Sequence, residues 1–289
     1  MTQEAKSMSE NNLAVYTAVF NDYDVLLQPK IIPEGVDFIC FTDNPSRVPE
    51  PWIPRDVQRV QEQGKVSSSR LKIQPHKYLS EYTYSIWVDG NIHIIGDITR
   101  YLDKIKKNKL ILPTHPTRNC VYDEGVECIK RNKSGTKETI NQLNKYHQAG
   151  LPNNYRLHWT GILFRRHNDP AVISLMESWW EAFKNGTNRD QLSLTYAIWK
   201  TDIEYTSTDI EYHSERGIFK RIQHRPSGLS GRLWERTIKY REKRDGIVKT
   251  IGLSIASSVY YLNRGITILR QDGFDEFLSQ SQNTIESWL

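Results

Sequence analysis

Short runs that are apolar at nearly every residue alternate with helical patterns through residues 13–199, and this alternation restricts the fold more than any other feature. Residues 13–20 (LAVYTAVF) and 36–42 (VDFICFT) are rich in β-branched and aromatic side chains and bounded by turn formers, so both predict strands. Residues 85–88 (SIWV) predict a third, and 109–113 and 158–165 two more. Helical patterns intervene at 67–82, where Pro75 would begin or kink a helix, and at 98–106, 136–149, 170–184 and 189–199. Pro170 suits the first turn of its helix. Strands alternating with helices predict an α/β domain over 13–226, an open and mostly parallel sheet with helices on both faces. Ligands of such sheets bind beyond the carboxyl ends of the strands.

Composition narrows the alternatives. The 289 residues can hold one large α/β domain with a helical appendage. A formal net charge of +5, from 39 basic and 34 acidic residues, is too small an excess to imply nucleic-acid binding, yet it suits an anionic ligand. Three cysteines, Cys40, Cys120 and Cys128, cannot all pair and lack zinc-site spacing, which fits a reducing cytoplasm. Residues 1–12 are polar, predicting a disordered start without the apolar core of a signal peptide, and no segment is apolar enough to span a membrane. From 227 to 289 the character changes: RLWERTIKYREKRDG is strongly charged, and ASSVYYLNRG and GFDEFLSQSQ predict further helix. This extension reads as a tail packed on the domain or linking to a partner; a peripheral contact with the inner face of an anionic membrane is the sharper alternative.

The chemistry concentrates where YSIWVDGNIHI (84–94) breaks off a strand with a carboxylate, a glycine and an amide. Asp89 would stand where the strand leaves the sheet, Gly90 would let the chain turn, and Asn91 would return a second oxygen beside the first. Two such oxygens suffice for Mg²⁺ or Mn²⁺ when a substrate supplies phosphates. An ordinary Asp-Gly turn explains the same residues.

Other blocks add to this one. VYTAVFNDYD, FICFTDN, RLKIQPHKY, YSIWVDGN, HPTRNCVYDE and NRDQLSLTY follow one another over residues 15–224, and in this order the chain resembles a family of glycosyltransferases, with plant mucilage-related and bacterial members, long catalogued only as a domain of unknown function. The resemblance implies a glycosyltransferase A-type, Rossmann-like domain in which an Asp-x-Asp-like signature holds Mn²⁺ or Mg²⁺ against the diphosphate of a nucleotide-sugar donor. Here the signature reads Asp89-Gly90-Asn91, with an amide in place of the second acid.

Residue by residue, the resemblance implies that Thr17, Ala18 and Tyr23 lie under the nucleotide and that Asp43 accepts a hydrogen bond from base or ribose. Core packing explains Tyr16 and Phe20, and a helix cap would equally explain Asp43. Arg70, Lys72, His76 and Lys77 would face the diphosphate across the cleft. His115, Arg118, Tyr122 and Glu124, dense with donors and acceptors, suit an acceptor hydroxyl or an anionic acceptor, whereas Cys120 reads as a small buried residue. Asp190 with Gln191 opens a helix: it is either a cap, the base of an inverting transfer, or, with Gln191, a holder of the donor sugar in a retaining one. His224, or its competitor His213, could complete a metal site. These readings make the chain a metal-assisted glycosyltransferase acting on a glycan or other hydroxyl acceptor. The alternatives are a metal-dependent phosphoryl hydrolase or a nucleotide-sugar-binding module without turnover.

Overall fold

The computed structural model describes residues 12–56, 64–212, 217–226 and 228–242. The polar start at 1–11, His213 and the helical stretches expected at 256–265 and 273–282 lie outside the described residues. The chain divides into two compact units, Met1–Ile222 and Gln223–Leu289. In the second, helix Gly228–Glu242 carries Glu235, which pairs with Lys239 at 2.8 Å and with Arg225 at 3.4 Å.

Seven strands of the first unit form the main sheet. In chain order they are β1 (Leu13–Val19), β2 (Val36–Thr42), β3 (Trp52–Asp56), β4 (Tyr84–Val88), β6 (Leu110–Pro113), β7 (Ile162–Arg165) and β8 (Thr206–Thr208), in the spatial order β3-β2-β1-β4-β7-β6-β8. Strands β3, β2, β1 and β4 run parallel, β7 is antiparallel to β4 and to β6, and β6 and β8 are parallel to each other. A separate ribbon pairs β5 (Ile92–Ile94) with β9 (Phe219–Arg221). The mostly parallel α/β architecture expected from the alternation of elements is therefore present.

Side-chain period explains the layers. Alternate residues of β1 go to opposite faces: Ala14, Tyr16 and Ala18 join one buried cluster, Leu13 and Val15 the other. The first face is covered by α1 (Gly64–Ile73), α5 (Pro170–Lys184) and α6 (Asp190–Thr201), through Leu71, Trp179 and Leu194 among others. The second is covered by the β5–β9 ribbon and α2 (Leu102–Lys107). Apolar cover on both sides is why these strands read as continuous apolar runs.

Differences from expectation have local causes. The helix expected over 67–82 ends at Ile73, because a residue preceding proline avoids the helical region, and Pro75–Lys77 forms a short 3₁₀ turn instead. Residues 114–125, for which the sequence predicts no element, are helical from Val121: α3 spans Val121–Lys130 and packs on α4 (Thr136–Gln148). Strand β3 contains Pro54 and lies at the sheet edge, the position where a missing N–H is tolerated.

One buried cation ties the layers together. Arg165, the last residue of β7, is fully buried; it donates to the Lys72 carbonyl at 2.8 Å and to the Tyr16 hydroxyl, which itself donates to the Lys72 carbonyl at 3.2 Å. Burial pushes the Tyr16 phenol up to about 12 and lowers the Arg165 pKa, although an arginine remains charged. Arg165→Ala should cost about 3 kcal/mol in urea denaturation, from the cavity and the lost hydrogen bonds. Arg165→Met should cost about 1 kcal/mol, since the thioether refills volume and leaves no buried charge. Equal losses in the two variants would show that the hydrogen bonds, not the volume, hold this junction.

Candidate active site

Strands β1, β2, β4 and β6 run in one direction, so Phe20–Asp24, Asp43, Asp89 and Thr114–His115 all emerge at one edge of the sheet. The antiparallel β7 enters at that same edge, and its preceding Gly161 carbonyl accepts the Asp89 N–H at 2.9 Å. Three charged side chains from distant parts of the chain meet here. Lys72 Nζ, from the last turn of α1, lies 3.1 Å from Asp89 Oδ1 and 2.6 Å from Asp190 Oδ2. The Lys72 side chain is only 6% exposed, against 38% for Asp89 and 21% for Asp190, so the carboxylates form the solvent side of the group.

Neighbours fix each member. Trp87, two residues before Asp89 on β4, donates its indole N–H to Asp89 Oδ1 at 2.8 Å and puts its ring 5.6 Å from the Lys72 ammonium. Thr160 donates to Asp190 Oδ2 at 2.8 Å, and the Gln191 backbone N–H reaches Asp190 Oδ1 at 3.1 Å. Asp190 is the first residue of α6, with Arg189 before it in extended conformation, so its carboxylate also meets the positive end of the helix. Burial opposes ionisation of Asp190, but Lys72, Arg189 and the hydrogen bond from Thr160 outweigh it and hold the carboxyl well below the usual range. For Lys72 burial likewise opposes the charge, and Asp190 and Asp89 reverse the balance, raising its pKa.

Gly90 does not adopt a left-handed conformation; what it supplies is space. A Cβ there would stand 3.1 Å from Asp24 Cβ, Asp24 Oδ2 and Val19 Cγ2. The sharp turn belongs to Asn21 and Asp22, both at φ 53°, where the Asn21 N–H is 3.1 Å from each Asp43 carboxylate oxygen and Asp22 pairs with Arg47 at 3.1 Å. Asp43 therefore secures the loop that presents Tyr23, a 64% exposed ring within electrostatic reach of Asp24, Arg189 and Asp89. Thr17 and Ala18 are buried within β1.

The remaining expected residues fall into two neighbouring groups. Arg70 stacks on Trp180 of α5 at 5.7 Å, and His76 and Lys77 both reach Glu177 of α5, at 2.8 and 2.7 Å. Beyond β6, His115, Arg118 and Glu124 come together: Arg118 Nε donates to Glu124 Oε2 at 2.7 Å, and His115 Nε2 is 3.8 Å from the same oxygen. The N–H groups of Thr117 and Arg118 donate to His115 Nδ1 at 3.3 and 3.0 Å, which leaves the ring proton on Nε2. Tyr122 turns elsewhere, donating to the Leu151 carbonyl at 2.8 Å. Trp87, Thr160 and Arg189 were not singled out from the sequence: Trp87 is one more apolar residue of a strand, Thr160 lies in the turn before β7, and Arg189 is the residue before α6.

The donor set for a divalent ion is narrow. Among the described residues no group of three or more His, Cys, Asp or Glu could hold a metal. Asn91 is buried, and its side-chain N–H donates to the Ile222 carbonyl at 3.0 Å, so its amide is engaged with the end of β9. His224 falls in the second unit and is exposed. What fits is the outward oxygen of Asp89: two carboxylates share one ammonium, leaving a negative charge in excess, and Mg²⁺ or Mn²⁺ is commonly held by one or two carboxylates with substrate phosphates.

A family model described as TOD1/MUCI70, glycosyltransferase-like domain, matches residues 55–224, more than half of the 289-residue chain. No curated protein matches it. The matched span contains Lys72, Asp89, Thr160 and Asp190.

Linkage gives a test of the charge triad. A carboxyl whose pKa is depressed in the folded state contributes stability that is present above its unfolded value, near 4, and is lost as pH falls toward the folded value. Asp190→Asn leaves the Lys72 ammonium with Asp89 alone. Its melting temperature should therefore lie below wild type at pH 7, and the gap should narrow as the pH is taken from 5 toward 3. A gap independent of pH would mean that Asp190 contributes as a helix-start residue rather than through its charge.

Proposed function

The chain belongs to the TOD1/MUCI70 glycosyltransferase-like family, and on that premise we propose that it moves a sugar from a nucleotide-sugar donor to a hydroxyl of a glycan or other acceptor. The observation that supports the reading best is the meeting of Lys72, Asp89 and Asp190 at the carboxyl ends of the parallel strands. The nucleotide lies over the ends of β1 and β2, beside Tyr23 and the Asp43-secured loop, with its diphosphate toward Lys72 and Asp89. Transfer places negative charge on the departing nucleoside diphosphate, and the Lys72 ammonium, fixed behind the two carboxylates, offsets part of it through its field without reorientation. Bound at the outward oxygen of Asp89, Mn²⁺ or Mg²⁺ would supply further charge neutralisation to that diphosphate.

Asp190 has a more constrained part. A carboxylate held far below the usual range is a weak proton acceptor at neutral pH. Its role is therefore to hold Lys72 and Thr160 around the donor sugar, the alternative that pairs it with Gln191, rather than to deprotonate the acceptor. One observation favours a binding module without turnover: both Asp190 oxygens already accept hydrogen bonds. A phosphoryl hydrolase draws less support, because such enzymes use a richer set of metal ligands than the described residues provide.

Incubation with a panel of nucleotide sugars and hydroxyl acceptors should release nucleoside diphosphate only when both substrates are present. Donor binding without release would leave the binding module, and release of phosphate without acceptor would favour hydrolysis. In calorimetry with nucleoside diphosphates and Mn²⁺, Asp89→Ala should bind at least tenfold more weakly, with a lower melting temperature from the lost Lys72 and Trp87 contacts but an intact fold by circular dichroism. Asn91→Asp should not bind tighter and should lose about 1 to 3 kcal/mol of stability, because its carboxylate would oppose the Ile222 carbonyl. Wild-type affinity in Asp89→Ala would remove the donor from this edge of the sheet.

A further inference from the structure

A second charged group adjoins the first, and its balance is opposite. Glu124, on the first turn of α3, is 2% exposed and accepts Arg118 Nε at 2.7 Å and the Cys128 thiol at 3.6 Å. Arg189 reaches the same place from the start of α6, where it interacts with Glu124 and Cys128 as well as with its neighbour Asp190. Helix geometry accounts for the meeting: Val121 of α3 and Leu192 of α6 share one buried cluster, and Glu124 and Arg189 each lie three residues from them. Lys133, just past α3, donates its backbone N–H to the Cys128 carbonyl at 2.8 Å and carries an exposed side chain within electrostatic reach of Glu124 and Arg189.

Arg118, Arg189 and Lys133 thus gather about Glu124, with Asp190 as a second carboxylate beside Arg189. Glu124 is the ion-pair partner of Arg118, whereas Arg189 and Lys133 form no ion pair among the described residues. Arg118, 24% exposed, uses Nε for Glu124 and has further N–H groups to offer. Partial burial, and after it the like charge of Arg189, lower the Lys133 pKa. A tetrahedral oxyanion would supply two negative charges and several acceptor oxygens, and guanidinium forks match it geometrically.

We propose that Arg118, Arg189 and Lys133 form an oxyanion site for a phosphate group carried by the acceptor, so that the acceptor hydroxyl is presented to the sugar beside Asp190. This rests on the glycosyl-transfer reading above. The same chemistry could come from the donor diphosphate, and the two sources separate in one experiment.

Inorganic phosphate is titrated calorimetrically, at low salt, into the full chain already saturated with a nucleoside diphosphate, and then into Arg118→Ala and Lys133→Ala. Lys133 is exposed, so its removal leaves the Arg118–Glu124 pair intact and keeps the test valid should Arg118→Ala fail to fold. The expected result is phosphate binding to the nucleotide-saturated protein, weakened at least tenfold in either variant, with nucleoside diphosphate affinity within about twofold of wild type. Failure of phosphate to bind, displacement of phosphate by nucleotide, or a tenfold loss of nucleotide affinity in Lys133→Ala would each overturn the proposal. Phosphate binding that depends on these residues in a protein that binds no nucleotide would support the anion site and remove the nucleotide-sugar reading instead.

Discussion

The Lys72 ammonium, shared between Asp89 and Asp190, is the contact on which the arrangement of this sheet edge depends. An isolated buried ammonium would lose its proton, and a buried carboxylate would gain one. Together they remain ionised, at the cost of requiring α1, β4 and α6 to deliver their side chains to one point. The backbone behind Lys72 is fixed as tightly as the side chain: its carbonyl accepts from Arg165 and Tyr16, which belong to β7 and β1. Five elements are thus registered against a single residue, and disturbing any one of them shifts the charge that the others were built around.

The sheet makes this registration possible. Parallel pairing of β1, β2 and β4 brings their carboxyl ends into line, and the antiparallel β7 adds the segment preceding it, so that Thr160 arrives beside Asp190 and the Gly161 carbonyl beside the Asp89 N–H. Trp87 connects the core to the edge. Its ring packs among the buried side chains of the α1–α5–α6 face, including an edge contact with Tyr16 at 5.1 Å, while its indole N–H orients Asp89. A residue that the hydrophobic effect places in the core for its area therefore also sets the direction of the carboxylate two positions later.

How much of this could be read from the sequence follows from where the information lies. Strands β1, β2 and β4 were legible as short continuous apolar runs, and helices α4, α5 and α6 by an apolar period sustained over many residues. Lys72, Asp89 and Asp190 were all singled out, but their meeting was not, since sequence separations of 17 and 118 residues carry no signal of contact. Helix α3 was hidden by its polar surface and by Gly125, a poor helix former whose value is tertiary: a Cβ there would stand 2.5 Å from Leu143 Cδ1 of α4. Strand β8 has three residues, too few for any period. Asn91 shows the converse, for its spacing from Asp89 suggested a shared ligand whereas the Ile222 carbonyl, just past β9 and over a hundred residues later, takes up its amide.

Asp190 interacts with two cations from different elements, Lys72 and Arg189, and on the proposed reading this gives the site a direction. Lys72 approaches it from α1 and Arg189 precedes it at the start of α6, while the first N–H groups of that helix add partial positive charge to the same spot. Two anionic substrates brought together without a carboxylate between them would be free to exchange places, because phosphate oxygens offer much the same hydrogen bonds whichever molecule carries them. On the proposed reading, the fixed negative charge of Asp190 keeps phosphate away from the carboxylate itself, so that a diphosphate on the Lys72 side and an acceptor phosphate on the Arg189 side would be held apart. The uncharged parts, the donor sugar and the acceptor hydroxyl, are the groups that can approach a carboxylate without repulsion, and on the proposed reading they are the two that must meet there.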